Sequence, residues 1–489
     1  LLLVLIMASA AISARAQMVL SLGDAIALAK DSSLTAFRKA NMYMASVWVY
    51  KSYKASRLPS LTLDVTPVSY NRQLISRYDS ENDIDVYRQQ KSYSAGAGLT
   101  LSQNFAPLGG TFFVSTNLDF LRYFGANTYN QFSTVPFSIG YYHDSFGFNR
   151  FKWDKKIEPI KFEKAKLQYL YNTEQIAIDA VSYFFQLALS QARYSNALVQ
   201  KDRCDSLYEI GQRRFGIASI TKAELQTLRL DVLNAKNSIA TAEVEMKRNM
   251  LRLTSYLGLD KNQQVTLKLP DKPAQLDISV QKALELMSAN SYMILEKLQA
   301  VRESEMELDR IKKTNRIKAG ISASVGYNQE AQELADAYKD PMRRDVISVS
   351  VSVPLIDWGV RKGQRNQAAN NLEAAKIDQE QTMSELEQNI INSIGELSTR
   401  YALLVSAEES LILAKEVYEQ NAVNFQKGTC NVTTLSDSQA RLQSAQNQYI
   451  TTMSDYWGCY YEIRRQTLFD FATGKSLSDE FDENNVLNN

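Results

Sequence analysis

The side chains that most often carry chemistry are scarce in this chain of 489 residues, which holds one histidine, His143, and three cysteines. A histidine-based triad with a second histidine, a multi-histidine metal site or a proton relay of histidines cannot be assembled from that set. Cys204, Cys430 and Cys459 have no CxxC or CxxxC spacing, so they suggest neither a zinc site nor a disulfide framework. An odd count also leaves at least one thiol unpaired within the chain. Carboxylates are plentiful, but at i,i+3 and i,i+4 spacing from lysine and arginine they form solvated helix faces and ion pairs. There is no Walker motif, no glycine-rich phosphate loop and no nucleophile elbow. The sequon Asn431-Val-Thr433 is read as chance. The expectation is a protein that is not an enzyme, with no cofactor and no metal; His143 reads as a polar strand residue near a membrane interface.

Charge and hydropathy exclude more. Lys and Arg number 55 against 54 Asp and Glu, which leaves no basic field to attract nucleic acid. Leu1 to Ile12 form an apolar run, followed by Ala14-Arg15-Ala16, the h-region and small-x-small site of a secretory signal peptide. Cleavage is expected after Ala16, and no cysteine near that point offers a lipoprotein anchor. The rest has no apolar stretch long enough for a helical span, and a mean hydropathy of −0.29, which excludes an inner-membrane transporter. It does not exclude a β-barrel, whose strands need only ~10 residues of alternating pattern.

The elements that would position any site come in two copies. Ser21-Leu-Gly-Asp-Ala-Ile-Ala-Leu28 lines up with Ser279-Val-Gln-Lys-Ala-Leu-Glu-Leu286, Phe137–Tyr141 with Ile347–Val351, and Gly216–Thr221 with Gly428–Thr433. Each copy is expected to open with a helix of about 30 residues that leads into alternating strands. The offset between copies falls from 258 at the start to 210–212 later, so the first copy holds an insertion of nearly 50 residues between about Tyr70 and Val135. All nine prolines fall outside 160–269 and 355–489. A proline inside a helix costs ~3 kcal/mol, so both spans predict continuous helices, interrupted near Gly216 and Gly428. Ahead of those breaks the helices would run roughly 50–65 residues, about 75–100 Å at 1.5 Å per residue.

In the second span Met383, Ile390, Leu397, Leu404, Leu411, Tyr418 and Phe425 recur every seventh residue, with Ile394 and Tyr401 as a partial second row. A heptad stripe of this kind supercoils a helix around a partner. The strand segments alternate with period two: Leu61, Leu63 and Val65 against Thr62, Asp64 and Thr66, and Ile347, Val349 and Val351 against Ser348, Ser350 and Ser352. One apolar and one small polar face suits a lipid-facing, water-filled wall, and it suits any half-buried antiparallel sheet as well. Tyr141, Tyr142, Phe146, Phe148, Trp153 and Trp358 cluster where strands meet helices, as an aromatic belt or as junction packing.

Four segments carry a resemblance to the TolC-type outer-membrane efflux proteins, the outer membrane factors. They are Leu20–Ala29 with Arg57-Leu-Pro-Ser-Leu-Thr-Leu63, Val353-Pro-Leu-Ile-Asp-Trp-Gly359, Arg214–Thr221 and Phe425–Val432. The resemblance implies a mainly α chain with a transmembrane β-barrel part. In it a trimeric β-barrel joins a long periplasmic α-helical coiled-coil barrel, and each chain holds two tandem repeats. Four strands per subunit would make a shared twelve-stranded barrel. The boundaries expected are a signal peptide at 1–16, repeat 1 at 17–270, repeat 2 at 271–470 and a flexible tail at 471–489. Repeat 1 has an extra hairpin near 93–121, expected outside the barrel, and a tip at 215–221; repeat 2 has its tip at 427–433.

The resemblance also implies an outer-membrane homotrimer in contact with lipid, working with a periplasmic adaptor (membrane fusion protein) and an inner-membrane transporter to expel small molecules. Its gate would fall on Thr434 and Asp437, of which only Asp437 keeps a carboxylate; a ring of three acids attracts cations. Gly216 and Gly428 are placed to take the left-handed conformation that ends a helix, and Thr221 with Glu224 fits a capping box. Phe215, Ile217, Ile220, Phe425, Thr429 and Val432 at the same turns read as plain turn residues or, with the resemblance, as adaptor-docking tips. Arg213, Lys222 and Lys427 are candidates for pairing contacts that hold the tips closed. A structural coiled-coil envelope protein and a general porin are the rival readings.

Overall fold

The computed structural model describes residues 18–479 and 481, apart from 125–127, 145, 146, 219, 262, 316, 428 and 431. The expected signal segment, Phe146, Gly428 and the end of the chain therefore lie outside the described residues.

The chain opens with β1 (Met18–Ser21), α1 (Leu22–Ser32) and α2 (Leu34–Ala55), then strands β2 (Ser60–Asp79), β3 (Ile84–Phe105), β4 (Gly110–Phe124) and β5 (Tyr129–His143). Helices α3 (Arg150–Gly216) and α4 (Lys222–Tyr256) follow, then β6 (Val265–Lys268), α5 (Val280–Asn290), α6 (Tyr292–Thr314), β7 (Lys318–Ala331) and β8 (Met342–Ser352). The last elements are α7 (Val360–Gln426), α8 (Val432–Thr467), β9 (Phe469–Asp470) and β10 (Lys475–Ser476).

Helix starts follow from single side chains. The Ser21 hydroxyl accepts from Asp24 N–H at 3.2 Å while the Asp24 carboxylate accepts from Ser21 N–H at 3.2 Å, a capping box that opens α1. The helix of about 30 residues expected in each copy is in fact two helices. Ser33 turns extended, and its hydroxyl accepts from Ala36 N–H at 3.0 Å to start α2. Ser291, 258 residues later, is extended in the same way between α5 and α6.

Helices α3 and α7 are each 67 residues long. Helix α3 begins ahead of Pro159 rather than after it, because Asn149 caps it, accepting from Lys152 N–H at 3.1 Å.

The heptad stripe is buried in its middle. Ile390, Leu397 and Leu404 join a core with Ile450, Met453, Tyr456, Tyr460 and Ile463 of α8, and Ile394 and Tyr401 pack at its margin. The same core takes in Leu20 to Ala29 of β1 and α1, Ile176 to Ala188 of α3, Met250 and Leu253 of α4, and Ala283 and Met287 of α5. A parallel pairing of β1 with β6 adds to it. This core lies in one of two compact units, to which the described residues up to Ala45, Ala165–Ile294 and the described residues from Thr382 onward belong. Residues 471–479, expected as a flexible tail, are folded there: Phe471 packs on the core and β9 pairs with β10. Apolar side chains at 469, 471 and 481 explain it, Phe481 meeting Tyr43 edge to face with ring centroids 5.6 Å apart.

The second unit, Ser46–Lys164 and Leu295–Gln381, contains a sheet of order β2-β3-β4-β5-β7-β8. Every neighbouring pair is antiparallel. Four strands were expected, and among the described residues this sheet has six. The hairpin near 93–121, expected outside the wall, supplies β3 and β4 in the middle of the sheet. It cannot peel away without breaking the ladders on its two flanks, from Ser60–Ser102 to Asp79–Ile84 with β2 and from Thr111–Tyr142 to Tyr123–Tyr129 with β5.

Candidate gate and helix tips

The first tip joins α3 to α4. Helix α3 runs helically to Gly216, which does not take a left-handed conformation; Ala218 does, with φ of 60°, and its N–H donates to Phe215 O at 3.0 Å. The expectation for Gly216 is corrected accordingly: the chain overruns the glycine by one turn residue before reversing. Thr221 then opens α4 with the capping box, its hydroxyl accepting from Glu224 N–H at 3.2 Å and the Glu224 carboxylate accepting from Thr221 N–H at 2.7 Å. That backbone bond, followed by the one to the hydroxyl, holds the Glu224 carboxyl below its ordinary value. Phe215 and Ile217 are exposed, Ile217 at 75%, while Ile220 is half-buried.

Sequence reasoning missed Gly211. A Cβ there would collide with the end of Leu228, so this glycine lets α3 and α4 approach closely just before the turn. Its signal was available: a second glycine one helical turn and a residue ahead of Gly216.

The second tip joins α7 to α8. Thr429 closes it, its N–H and its hydroxyl both donating to Asn424 O, at 3.0 and 3.1 Å. Phe425 is half-buried and Thr429 exposed. The backbone of Val432 begins α8, Gly428 lies outside the described residues, and Cys430 is half-buried.

Helix α8 then sorts its residues by face. Leu435, Ser438 and Gln439 are buried, at i, i+3 and i+4, whereas Thr434 and Asp437 are exposed together on the remaining face. The buried face is fixed by Arg203 of α3, which donates to Gln439 and, at 3.2 Å, to Ser436. Nothing in the local sequence announces this role of Arg203, since Gln439 and Ser436 lie more than 200 residues away. On the α7 side, Leu403, Ala407 and Leu413 form a groove of about 620 Å³ with Ser438, Arg441 and Gln448. Arg213, Lys222 and Lys427 are exposed and enter no ion pair among the described residues.

The other chemistry-bearing groups lie elsewhere. His143 is buried at the end of β5, against the turn at Gly109. Cys204 and Cys459 are buried free thiols, and burial pushes Cys459 up to about 11, which leaves it a poor nucleophile. Among the described residues no three His, Cys, Asp or Glu side chains could hold a metal, and no helix is long and apolar enough to cross a membrane.

Residues 320–456 match the family model described as outer membrane efflux protein. Comparison with curated proteins gives no match. Among solved structures, the chain is similar to the CmeC outer membrane channel of Campylobacter jejuni, with a TM-score of 0.67 at 13% identity over 96% of this chain and 88% of that one. It is also similar to the outer membrane protein VceC of Vibrio cholerae, with a TM-score of 0.61 at 12% identity over 93% of this chain and 96% of that one. The open state of the MtrE outer membrane channel of Neisseria gonorrhoeae gives 0.60 at 13% identity, over 93% and 89%. The family model takes in two of the segments that carried the resemblance, Val353–Gly359 and Phe425–Val432, and the fold is shared along nearly the whole chain.

Proposed function

We propose that this chain is one subunit of a trimeric exit duct of the outer membrane, through which small molecules leave the cell. The duct is passive. The energy comes from an inner-membrane transporter, coupled through a periplasmic adaptor that docks on the two helix tips.

The observation that carries the reading is the sheet. Along its register one face presents Leu61, Leu63, Leu99, Leu101, Ile139, Val325, Ile347 and Val349, all exposed, and the other presents serine, threonine and glycine. Exposures of 64% at Leu61 and 79% at Ile347 are costly in water and natural in lipid. A coiled-coil stalk has no use for such a sheet, and a porin has no use for two helices of 67 residues.

Exposed Phe215 and Ile217 and the groove between α7 and α8 suit a partner helix laying an apolar face along the tips. Asp437 and Thr434 are exposed together at the start of α8, so three copies about an axis set three carboxylates around the entrance. The N-terminal segment 1–16 acts as the export signal.

The test is single-channel conductance of the purified protein in a planar bilayer. A small, cation-selective conductance whose selectivity falls in Asp437→Ala supports both the duct and the gate. A large steady pore that the substitution leaves unchanged removes the gate from Asp437 and revives the porin.

A further inference from the structure

A strand edge facing lipid strands a row of N–H and C=O groups that water cannot reach, so a sheet in a bilayer has to close. This sheet is open. Its order runs from β2 to β8, and those two strands each have one flank without a partner strand among the described residues. We propose that the free edges pair between copies, β8 of one chain against β2 of the next, with all six strands in the wall. The trimer then closes as an eighteen-stranded barrel instead of the twelve-stranded one that four strands per chain would give. The inference rests on the trimeric duct proposed above.

Three observations support it. The two-faced pattern crosses the inserted hairpin, with Thr116 as a polar position on the apolar face and a register shift in the β4–β5 ladder between Ser115 and Asn117. Leu63 faces Leu99, Leu99 faces Thr116, Leu101 faces Val114, and Val114 faces Ile139 across successive ladders, so the apolar face of β2 continues through β3 and β4 into β5. On the opposite face Thr100 meets Ser115 and Ser115 meets Ser138. A hairpin lying outside the wall has no reason to keep that phase, because a shift of one residue would exchange its faces.

The hairpin's polar face is also built for water. A Cβ at Gly96 would collide with the Asp119 carboxylate, and one at Gly98 would come within 2.8 Å of the Asn117 side-chain oxygen. The two glycines of β3 therefore make a floor on which two polar side chains of β4 lie. Asp119 and Asn117 would be stranded if that face met lipid.

The edges fit each other as well. β2 leads away from α2 and β8 returns toward α7, so a ring of identical six-stranded sheets closes with antiparallel pairs throughout. β8 has 11 residues, all exposed, with Ile347, Val349 and Val351 following the charged Arg343-Arg344-Asp345, and Ser60–Tyr70, the stretch of β2 ahead of Asn71-Arg72-Gln73, has 11 as well. Both lengths suit the ~9–11 residues of a membrane-spanning strand.

With strands about 4.8 Å apart and tilted about 40°, eighteen strands give a barrel about 36 Å across between backbones, against about 24 Å for twelve. The cross-section roughly doubles. Selection of what passes then falls to the helix tips and not to the barrel.

Electron cryo-microscopy of the full-length protein in lipid nanodiscs tests this by counting strands and copies around the ring. Eighteen strands from three copies, with β8–β2 contacts at each boundary, is the expected result. Twelve strands from three copies, with the hairpin off the ring, overturns the inference and leaves the duct intact. Twelve strands from two copies, or no ring, overturns the trimeric reading along with it. An independent check uses single cysteines in a Cys430→Ser chain reconstituted in liposomes. A water-soluble maleimide should label Thr100→Cys and Ser115→Cys at least tenfold faster than Leu101→Cys and Val114→Cys. Equal labelling of the two pairs would overturn the place of the hairpin in the wall.

Discussion

Glu174 sits where three elements meet, and removing its charge should loosen the N-terminal helix while leaving the long helices standing. Its side chain, 3% exposed, contacts Lys30 of α1 at 2.5 Å and Arg464 of α8 at 3.0 Å. The second is a charge contact more than an aligned hydrogen bond, since Glu174 Oε2 and Arg464 Nε lack hydrogen-bond geometry to each other. In Glu174→Gln, Arg464 keeps Asp470 at 3.0 Å, so Lys30 is the cation left without its counter-charge. Breaking a buried pair by removing one partner costs about 3–5 kcal/mol. Lys30 is 22% exposed and can swing toward water, which puts the expected cost at the low end. About 3 kcal/mol corresponds to roughly 100-fold in the local opening constant. Hydrogen exchange should show that loss of protection in α1 and β1. Adding Lys30→Met should recover more than half of it, because no unpaired charge then remains. Unchanged protection in Glu174→Gln, or no recovery in the double variant, would refute the reasoning.

Other outcomes follow from single contacts. Leu404→Ala empties a fully buried position in the heptad stripe and should cost about 2–5 kcal/mol, lowering the thermal midpoint of the helical circular dichroism signal. A shift no larger than that of exposed Lys415→Ala would count against the stripe as a core element. Gly211→Leu forces α3 and α4 apart at the first tip, at about 1–3 kcal/mol, and should raise protease cleavage between Gly211 and Lys222. An unchanged cleavage pattern would show that the close approach is not needed. Burial alone would raise the Asp470 carboxyl, but the Tyr460 hydroxyl, Arg464 and the Thr473 and Ala472 N–H groups outweigh it and hold it below its ordinary value. A carboxyl so depressed contributes stability above the ordinary range, about pH 4, and loses it as pH falls through the folded value. The protection factor of Leu477 N–H, which donates to Leu468 O at 2.9 Å, should therefore fall on acidification in the wild type. In Asp470→Asn it should be low already at neutral pH.

What the sequence revealed is what a local period can encode. The heptads at Ile390, Leu397 and Leu404 and the alternation at Leu61–Val65 and Ile347–Val351 are one-dimensional signals, and the elements that they mark are present. Pairing is not one-dimensional. The order β2-β3-β4-β5 is set by ladders between strands, which alternation within 112–118 cannot specify, so the sequence alone does not place the hairpin within the sheet. The same limit hid the pairing of β1 with β6 and the cluster of Lys30, Glu174, Arg464 and Asp470, whose members lie up to 440 residues apart. Turn chemistry was partly legible. The Thr221–Glu224 box follows from residue types, whereas the left-handed residue is Ala218 because the register of the turn, and not the presence of Gly216, decides where the chain reverses. The serine breaks at Ser33 and Ser291 carried a signal in their own repetition, hydroxyl residues followed by a fresh helix in both copies.

The central claim is a duct that spans the membrane and is held shut at its helix tips. The most direct measurement compares single-channel conductance of the wild type with a variant in which both tips, 211–224 and 423–434, are replaced by short flexible linkers, each shown to be trimeric and membrane-inserted. The account predicts a small conductance that rises several-fold when the tips are removed. Equal conductance in the two proteins would place the restriction elsewhere, and none in either would contradict a continuous duct.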